Sequence, residues 1–338
     1  MNHTKQTLRV TEIETVAPCV NRYRFVAAEG ALAPFLPGQY LCLYYEIEGA
    51  TACRPYSIAS SPKEAAEGGY YELFIHVGGS FTSHWLGEHI KVGDTIAASH
   101  PLGEYCITPD TPRKIVGISG GMSVTPLRAM AHSIADEWTD REMTLFCGWD
   151  TAADMLYHEE FTELARQCSR IHVHFAVVQD PLPGDKHGYF TAEDILRCTD
   201  AAEAAYFLCG PQAMYQSLHS GLIASGVAPE RYHQEVPGEL HCPPYPTAAG
   251  ESFPLTVQVG GHTAVVNAAA NETVLVALER AGFAPRAYCR SGSCGFCQAK
   301  LLQGTVWTDP QRAAAPTEGM FHPCCSFPRS ALTIVLPQ

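Results

Sequence analysis

The stretch AYCRSGSCGFC, residues 287–297, carries Cys289, Cys294 and Cys297 in a C-x4-C-x2-C spacing. This spacing, with a fourth cysteine further along the chain, is typical of loops that bind a [2Fe–2S] cluster. Gly292 lets the backbone curl so that its N–H groups can point toward cluster sulfurs. Structural zinc sites, the main alternative, usually carry two paired CxxC or CxxxC knuckles. The spacing therefore predicts a small iron–sulfur domain around this loop.

The fourth ligand is one of two adjacent residues, Cys324 and Cys325. Upstream of the loop, the runs PLTVQV and TAVVNA are typical of strands, and a short helix is predicted at Thr273–Gly282. Before them, PGELHCPPYPTAAGES holds four prolines and little periodicity, which is typical of a linker. These features predict a linker at 239–252 and an iron–sulfur domain at 253–338.

Residues 111–238 alternate predicted strands with predicted helices. The apolar runs KIVGIS, MTLFCGW, IHVHFAVV and AAYFLCG are consistent with parallel strands buried on both faces. Helices are predicted at Pro126–Glu137, His158–Gln167 and Pro211–Ser225. This alternation predicts an α/β nucleotide-binding domain with a parallel sheet.

Residues 1–110 are rich in short β-like runs. YRFVAA, QYLCLYYEI, YYELFIHV and DTIAAS combine β-branched and aromatic residues, and Pro and Gly turns separate them. About six such strands predict a small antiparallel β-barrel. The chain is therefore expected to be multidomain, with an antiparallel barrel, a parallel-sheet α/β domain and an α+β iron–sulfur domain.

Composition limits the possible partners and location. A chain of 338 residues with 46% hydrophobic and 17% charged residues is expected to fold into two or three packed domains. The net charge of −13 argues against nucleic acid as a partner. No apolar run reaches the length of a membrane span, and MNHTKQTLRV lacks the apolar core of a signal peptide. We therefore expect a cytoplasmic protein whose fourteen cysteines are mostly thiols or metal ligands.

Three motifs resemble those of the ferredoxin-NADP reductase superfamily, and a fourth resembles plant-type ferredoxin domains. RPYS at 54–57 resembles its R-x-Y-S flavin motif, GGMSVTPL at 120–127 its G-G-x-G-x-T-P-L loop, and CGP at 209–211 its C-G-P motif. HPCCSFPRSALTI matches the end of plant-type β-grasp ferredoxin domains in the register that makes Cys324 the ligand. The order of flavin, NAD and ferredoxin domains resembles that of three-domain oxygenase reductases such as phthalate dioxygenase reductase.

The resemblance implies a flavin site. Arg54 would pair with a phosphate oxygen, Tyr56 would contact the ribityl chain, and Ser57 would reach N5 of the flavin. The cofactor-binding residues assigned in this motif are Arg54, Pro55, Tyr56 and Ser57. The segment GGSFTSHWL resembles the second phosphate contact, which assigns Gly79, Thr82 and Ser83. Family members often carry Lys or Arg before these glycines, whereas this chain has HV, so the second phosphate would be held less electrostatically and FMN stays open. FAD is the expected cofactor.

The resemblance also implies a pyridine nucleotide site. Gly120 and Gly121 would present backbone N–H groups and the following helix N-terminus to a pyrophosphate. Thr125 would lie near the nicotinamide, and Pro126 would start the helix. Ser123 replaces the third glycine of the motif, which a serine tolerates where its φ is negative.

Two further residues bear on hydride transfer and on the choice of nucleotide. Taken alone, Cys209 is typical of a buried small hydrophobe. The resemblance places it beside the nicotinamide C4 and flavin N5, so Ser57 and Cys209 are assigned as catalytic, and Gly210 and Pro211 as cofactor-binding. Asp150 stands where NADPH-preferring relatives carry Arg or Lys. Its carboxylate would accept from a ribose 2′-OH and repel a 2′-phosphate, which predicts NADH.

The function implied is an NADH-dependent reductase that passes electrons through flavin and [2Fe–2S] to a partner. The expected partner is a terminal oxygenase of the Rieske or diiron type. One alternative is a reductase of another electron-acceptor protein, such as hybrid-cluster protein. A second is a redox-sensing flavin and iron–sulfur protein. No nucleic-acid or membrane partner is expected.

Overall fold

The computed structural model describes residues 5–47, 50–78, 81–199, 203–235, 243, 245–283, 285–287, 290, 292, 295–308 and 316–337. The chain divides into two compact units. The first combines Met1–Leu41 with Tyr56–Glu235, and the second combines Cys42–Pro55 with Val236–Gln338. The second unit therefore contains a short segment from the N-terminal part of the chain together with its C-terminal part. The domain boundaries that the sequence suggests remain predictions.

The N-terminal part of the chain forms a six-stranded sheet and two helices. Its elements are β1 (Lys5–Ala17), β2 (Val20–Ala27), β3 (Tyr40–Ile47), β4 (Ala50–Ser57), α1 (Pro62–Gly68), β5 (Tyr71–His76), α2 (Phe81–His89) and β6 (Thr95–Ser99). The strand order is β4-β3-β6-β1-β2-β5. The pairs β1–β2, β1–β6 and β2–β5 are antiparallel, and Leu8, Tyr23 and Phe25 are fully buried. The predicted antiparallel architecture is confirmed.

The middle of the chain alternates strands and helices. Its elements are β7 (Lys114–Gly120), α3 (Thr125–Asp136), β8 (Glu142–Thr151), α4 (His158–Gln167), β9 (Ile171–Gln179), β10 (Lys186–His187), α5 (Ala192–Cys198), β11 (Ala205–Cys209), α6 (Gln212–Ala224) and β12 (Tyr232–Gln234). The strands are parallel in the order β10-β9-β8-β7-β11-β12. Successive strands lie to one side of β7 until β11 pairs with its other side. This reversal between β7 and β11 is a topological switch point, where α/β sheets bind ligands.

The C-terminal part forms a mixed sheet and one short helix. Its elements are β13 (Ser252–Val259), β14 (His262–Ala269), α7 (Val274–Arg280), β15 (Ala299–Gln303), β16 (Val306–Thr308), β17 (Met320–Phe321), β18 (Ser326–Pro328) and β19 (Leu332–Val335). The main sheet has the order β14-β13-β19-β15-β17, and β16 pairs with β18. Thr273 caps α7 by accepting from the N–H of Val276. One apolar core, which includes Val274 and Leu278, fills the space between α7 and the sheet.

The described helices are short or carry polar residues along their length. None of them is both long and apolar enough to cross a bilayer.

Candidate functional site

The loops after β7 and β11 meet at the switch point. The two strands are paired in register, with Cys209 opposite Ser119. A Cβ on Gly120 would lie 2.8 Å from Cδ of Pro211, and one on Gly210 would lie 3.2 Å from the amide nitrogen of Gly120. Because both separations are shorter than ordinary contacts, glycine at the two positions favours this close approach of the loops. The structure therefore brings the G-G and C-G-P motifs into one site.

Gly121 opens this site to a ligand. Its φ is +62°, a left-handed conformation that favours glycine, and a Cβ there would meet nothing within 4 Å. A short 3₁₀ turn, Gly121–Val124, then leads into α3, which has Pro126 in its first turn. Backbone N–H groups at such a helix start can face an anionic pyrophosphate. The φ of Ser123 is not positive. A serine can therefore replace the third glycine of the motif without strain.

A buried carboxylate joins the flavin motif to the C-G-P motif. Ser57 Oγ donates to Oε1 of Glu235 at 2.6 Å, and the Cys209 thiol donates to Oε2 of the same residue. The hydroxyl of Tyr215 accepts from the N–H of Gly210 at 2.9 Å and donates to the Glu235 carbonyl at 3.2 Å. Glu235 therefore brings together the two residues assigned as catalytic, Ser57 and Cys209.

Glu235 is a site residue that the sequence motifs do not assign. One signal for it exists, because the superfamily often closes its nucleotide domain with H-x-E-x-F and this chain reads HQEVP at 233–237. Proline replaces phenylalanine at the last position of this motif, so the match is weak and does not by itself assign Glu235 to the site. Pro237 lies outside the described residues.

Burial shifts the pKa values of the acidic side chains around Glu235. Burial raises the pKa of Glu235. Burial also raises the pKa of Cys209 well above its usual range, and the nearby Glu235 charge adds to the effect. Cys209 is therefore a neutral thiol at pH 7 rather than a nucleophilic thiolate. This group of polar side chains can hold a proton at Ser57 or Glu235 without placing a charged sulfur in the site.

The residues assigned to the flavin phosphates lie in two places. Arg54 is 9% exposed, and its Nη1 donates to the carbonyl of Cys53 at 2.9 Å. Pro55, Tyr56 and Ser57 are partly exposed, as ligand-contacting residues need to be. Thr82 and Ser83 lie buried in the first turn of α2, where backbone N–H groups lack intrahelical acceptors. A phosphate fits this turn; Gly79 lies outside the described residues.

Asp150 lies near the carboxyl end of β8. Its side chain is exposed, and its Oδ1 accepts from the hydroxyl of Tyr189 at 2.8 Å. Tyr189, 66% exposed, is not predicted from the sequence, because it follows β10 in a loop without a recognisable motif. An exposed carboxylate at this sheet edge fits a ribose 2′-OH and opposes a phosphate.

Two of the four predicted cluster ligands are described, and they are neighbours. The Sγ atoms of Cys297 and Cys324 are 3.3 Å apart, close to the roughly 3.8 Å edge of a tetrahedron with metal–sulfur bonds of about 2.3 Å. The N–H of Gly292 donates to Cys324 Sγ at 3.1 Å. The hydrogen bond with Cys324 lowers the pKa of Cys297 below its usual range.

The structure also separates the two candidates for the fourth ligand. Cys325 Sγ donates to the carbonyl of His322 at 3.7 Å, while Cys324 lies beside Cys297. The pair of sulfurs and the donated N–H fit a [2Fe–2S] cluster held in part by Cys297 and Cys324. Cys289 and Cys294 lie outside the described residues.

Three known domain families match successive parts of the chain. Residues 7–107 match the oxidoreductase FAD-binding domain, residues 118–220 the oxidoreductase NAD-binding domain, and residues 257–329 the 2Fe-2S iron-sulfur cluster binding domain. A glycine betaine monooxygenase reductase subunit from Chromohalobacter salexigens is 25% identical over 93% of this chain and 91% of the relative. The corresponding subunit from Pseudomonas aeruginosa is 26% identical over 93% and 91%.

The fold is also found among solved structures. Phthalate dioxygenase reductase, described as a modular structure for electron transfer from pyridine nucleotides to [2Fe-2S], matches with a TM-score of 0.74. The match covers 99% of this chain and 98% of that protein at 21% identity. The chain is an oxidoreductase with FAD-binding, NAD-binding and [2Fe–2S] domains, which is the set of domains that its resemblance to the ferredoxin-NADP reductase superfamily implies.

Proposed function

We propose that the chain is the reductase subunit of an oxygenase system, which passes electrons from NADH through FAD and [2Fe–2S] to a terminal oxygenase. The observation that carries this proposal is the carboxylate of Glu235, which joins Ser57 of the flavin motif to Cys209 beside the nucleotide loops. The chain then continues into a domain whose buried cysteines suit a one-electron carrier. A hydride site followed by a one-electron carrier is what an oxygenase reductase requires.

When bound, FAD and the cluster supply the redox chemistry, namely hydride acceptance and single-electron steps at a low potential of roughly −400 mV. The residues of the chain bind and orient these groups. Backbone N–H groups after Gly120 and the start of α3 would hold the pyrophosphate. Ser57 and Glu235 share a hydrogen-bonded proton that would be available to the flavin, and Cys209, a neutral thiol bonded to the same carboxylate, would not repel a hydride donor.

The preferred nucleotide follows from Asp150. Its carboxylate repels the 2′-phosphate of NADPH and accepts a hydrogen bond from the 2′-OH of NADH. The hydroxyl of Tyr189 holds one of its oxygens, which fixes the carboxylate in place. We therefore propose NADH as the electron donor.

The proposed partner and location rest on the relatives and on the cysteines. The relatives with nearly full coverage include reductase subunits of glycine betaine monooxygenase and of stachydrine N-demethylase. By similarity, an oxygenase that acts on a small organic substrate is the proposed electron acceptor. The described chain contains eleven free cysteines, which favours the reducing cytoplasm.

Anaerobic titration of the purified protein with NADH tests the proposal, with visible absorbance and EPR as readouts. The expected result is bleaching of the flavin followed by a rhombic signal of the reduced cluster. Flavin bleaching without that signal would remove the cluster from the pathway, and a requirement for NADPH would overturn the assignment of Asp150. Acid release of the flavin and its chromatographic identification distinguish FAD from FMN.

A further inference from the structure

Three buried charged side chains meet in the second compact unit. Nη1 and Nη2 of Arg290 donate to Oε1 and Oε2 of Glu279 at 2.6 and 2.8 Å. Nη1 of Arg54 lies 3.6 Å from the same Oε2. The side chains of Arg54, Glu279 and Arg290 are 11%, 9% and 0% exposed. One carboxylate therefore balances two guanidinium groups, and the trio carries a net positive charge.

The trio connects two segments that are distant in sequence. Arg54 belongs to the flavin motif on β4, whereas Arg290 directly follows the predicted ligand Cys289. Arg290 has a φ of +57°, a left-handed conformation that a non-glycine residue keeps only where its surroundings impose it. The two-pronged hydrogen bond to Glu279 supplies such a constraint.

Helix α7 links Glu279 to the two described ligand candidates, Cys297 and Cys324. Leu275 and Glu279 are four residues apart and therefore lie on one face of the helix. Leu275 packs in the small buried group that contains Cys297 and Cys324. The same helix face thus contacts the cluster ligands through Leu275 and both arginines through Glu279.

We propose that Glu279 is a positioning residue for electron transfer from the flavin to the cluster. Its carboxylate holds Arg290 and the start of the cysteine loop against the strand that carries Arg54. This role rests on the proposed function, because it concerns the step that follows reduction of the flavin by NADH. It also makes the trio part of the electrostatic surroundings of an anionic cluster.

The charges of the trio give opposite effects on the cluster potential. Reduction adds one negative charge to the cluster, so a nearby carboxylate disfavours reduction and a nearby guanidinium favours it. Glu279→Gln is therefore expected to raise the midpoint potential, and Arg290→Gln to lower it. A purely structural role would not predict shifts of opposite sign.

The experiment compares the holoprotein with Glu279→Gln, Arg290→Gln and Arg290→Lys. Stopped-flow absorbance measures flavin reduction by NADH and the later reduction of the cluster, and EPR-monitored titration gives the cluster potential. We expect flavin reduction to change less than twofold and cluster reduction to slow at least tenfold in Glu279→Gln. A higher cluster potential would by itself speed cluster reduction. Slower cluster reduction in Glu279→Gln would therefore show that Arg290 is no longer held in place.

A control variant, Glu272→Gln, and the charge-conserving variant Arg290→Lys keep the result interpretable. Glu272→Gln removes a carboxylate that pairs with Arg280 instead, and both steps and the potential should stay unchanged. Arg290→Lys keeps the charge but loses the two-pronged bond, so cluster reduction should slow while the potential stays near that of the wild type. If Glu279→Gln does not fold, Arg290→Lys alone decides the question.

The outcomes separate the two hypotheses. A wild-type protein whose flavin is reduced by NADH but whose cluster is not would overturn the proposed function. A wild type that reduces its cluster, with unchanged cluster reduction and potential in the variants at Glu279 and Arg290, would overturn the positioning role alone.

Discussion

The carboxylate of Glu235 is shared between a hydroxyl and a thiol in a buried site. Removing one partner of a buried hydrogen bond leaves the remaining polar group unpaired, which lowers the free energy of unfolding by about 1–3 kcal/mol. Ser57, Cys209 and Glu235 therefore act as one unit, and their single substitutions are not expected to be additive.

The pH dependence of stability tests the charge of Glu235. Burial raises its pKa in the folded protein above the usual 4.5, so folding binds a proton. Its contribution is fully present below the unfolded pKa and is lost as the pH rises through the raised folded value. Glu235→Gln mimics the protonated form, and we expect the variant to gain stability relative to the wild type as the pH rises above about 4.5. Urea unfolding between pH 4 and 8 measures this, and a pH-independent difference would contradict it.

The preference for NADH over NADPH is expected to depend on a single residue, Asp150. Asp150→Ser removes the charge that opposes a 2′-phosphate, so kcat/KM for NADPH should rise about tenfold, or about 1.4 kcal/mol. The value for NADH should fall several-fold because the ribose loses an acceptor. Steady-state ferricyanide reduction with each nucleotide measures the ratio. Asp136→Ser, an acidic residue at the end of α3, should leave the ratio unchanged.

At the scale of elements, most apolar strands follow from the sequence. The buried runs of the parallel sheet are predictable because strands covered on both faces are continuously apolar, and helix α4 has the predicted bounds, His158–Gln167. Strand β1 is not among the predicted runs, because it has few apolar residues and register shifts at Val10/Glu12 and Thr15/Ala17 interrupt their alternation. Helix α2 is not predicted either, since its sequence FTSHWLGEH contains glycine and presents no apolar stripe.

The functional site is only partly readable from the sequence for a different reason. The motifs indicate the local residues, but the bond from Ser57 to Glu235 spans 178 positions, and no periodicity reports such a contact. Likewise the contact of Gly120 with Pro211 depends on β7 and β11 being neighbours in the sheet. Such contacts become visible only when the topology is known.

The close contact of the two nucleotide loops gives an element-scale prediction. Gly120→Ala places a Cβ 2.8 Å from Pro211, and such overpacking typically costs about 1–3 kcal/mol. We expect the KM for NADH to rise roughly tenfold or more, since the loops must separate. The matched control is Gly148→Ala, because Gly148 pairs with Gly120 in register and its Cβ would approach nothing closer than 3.7 Å. Equal KM values for the two variants would refute the prediction.

At the scale of the whole molecule, the net charge of −13 acts on every encounter with a protein acceptor. Attraction between opposite charges speeds association and weakens as salt screens it. The rate of reduction of a basic acceptor such as cytochrome c should therefore fall as ionic strength rises. Reduction of the anion ferricyanide should change in the opposite direction. Initial rates from about 10 to about 500 mM NaCl provide the measurement, and a parallel response of both acceptors would exclude electrostatic steering.

The compact unit that joins Cys42–Pro55 to Val236–Gln338 has a consequence for exchanging domains between reductases. A chimaera cut at the proline-rich segment inherits one part of this unit from each parent. In such a chimaera, Arg54 comes from one parent and helix α7 with Glu279 comes from the other. The ion pair between the two positions is then no longer assured. Grafts that also transfer residues 42–55 keep the unit intact, so exchanging the whole unit requires a crossover on each side of residues 42–55 in addition to the one at the proline-rich segment.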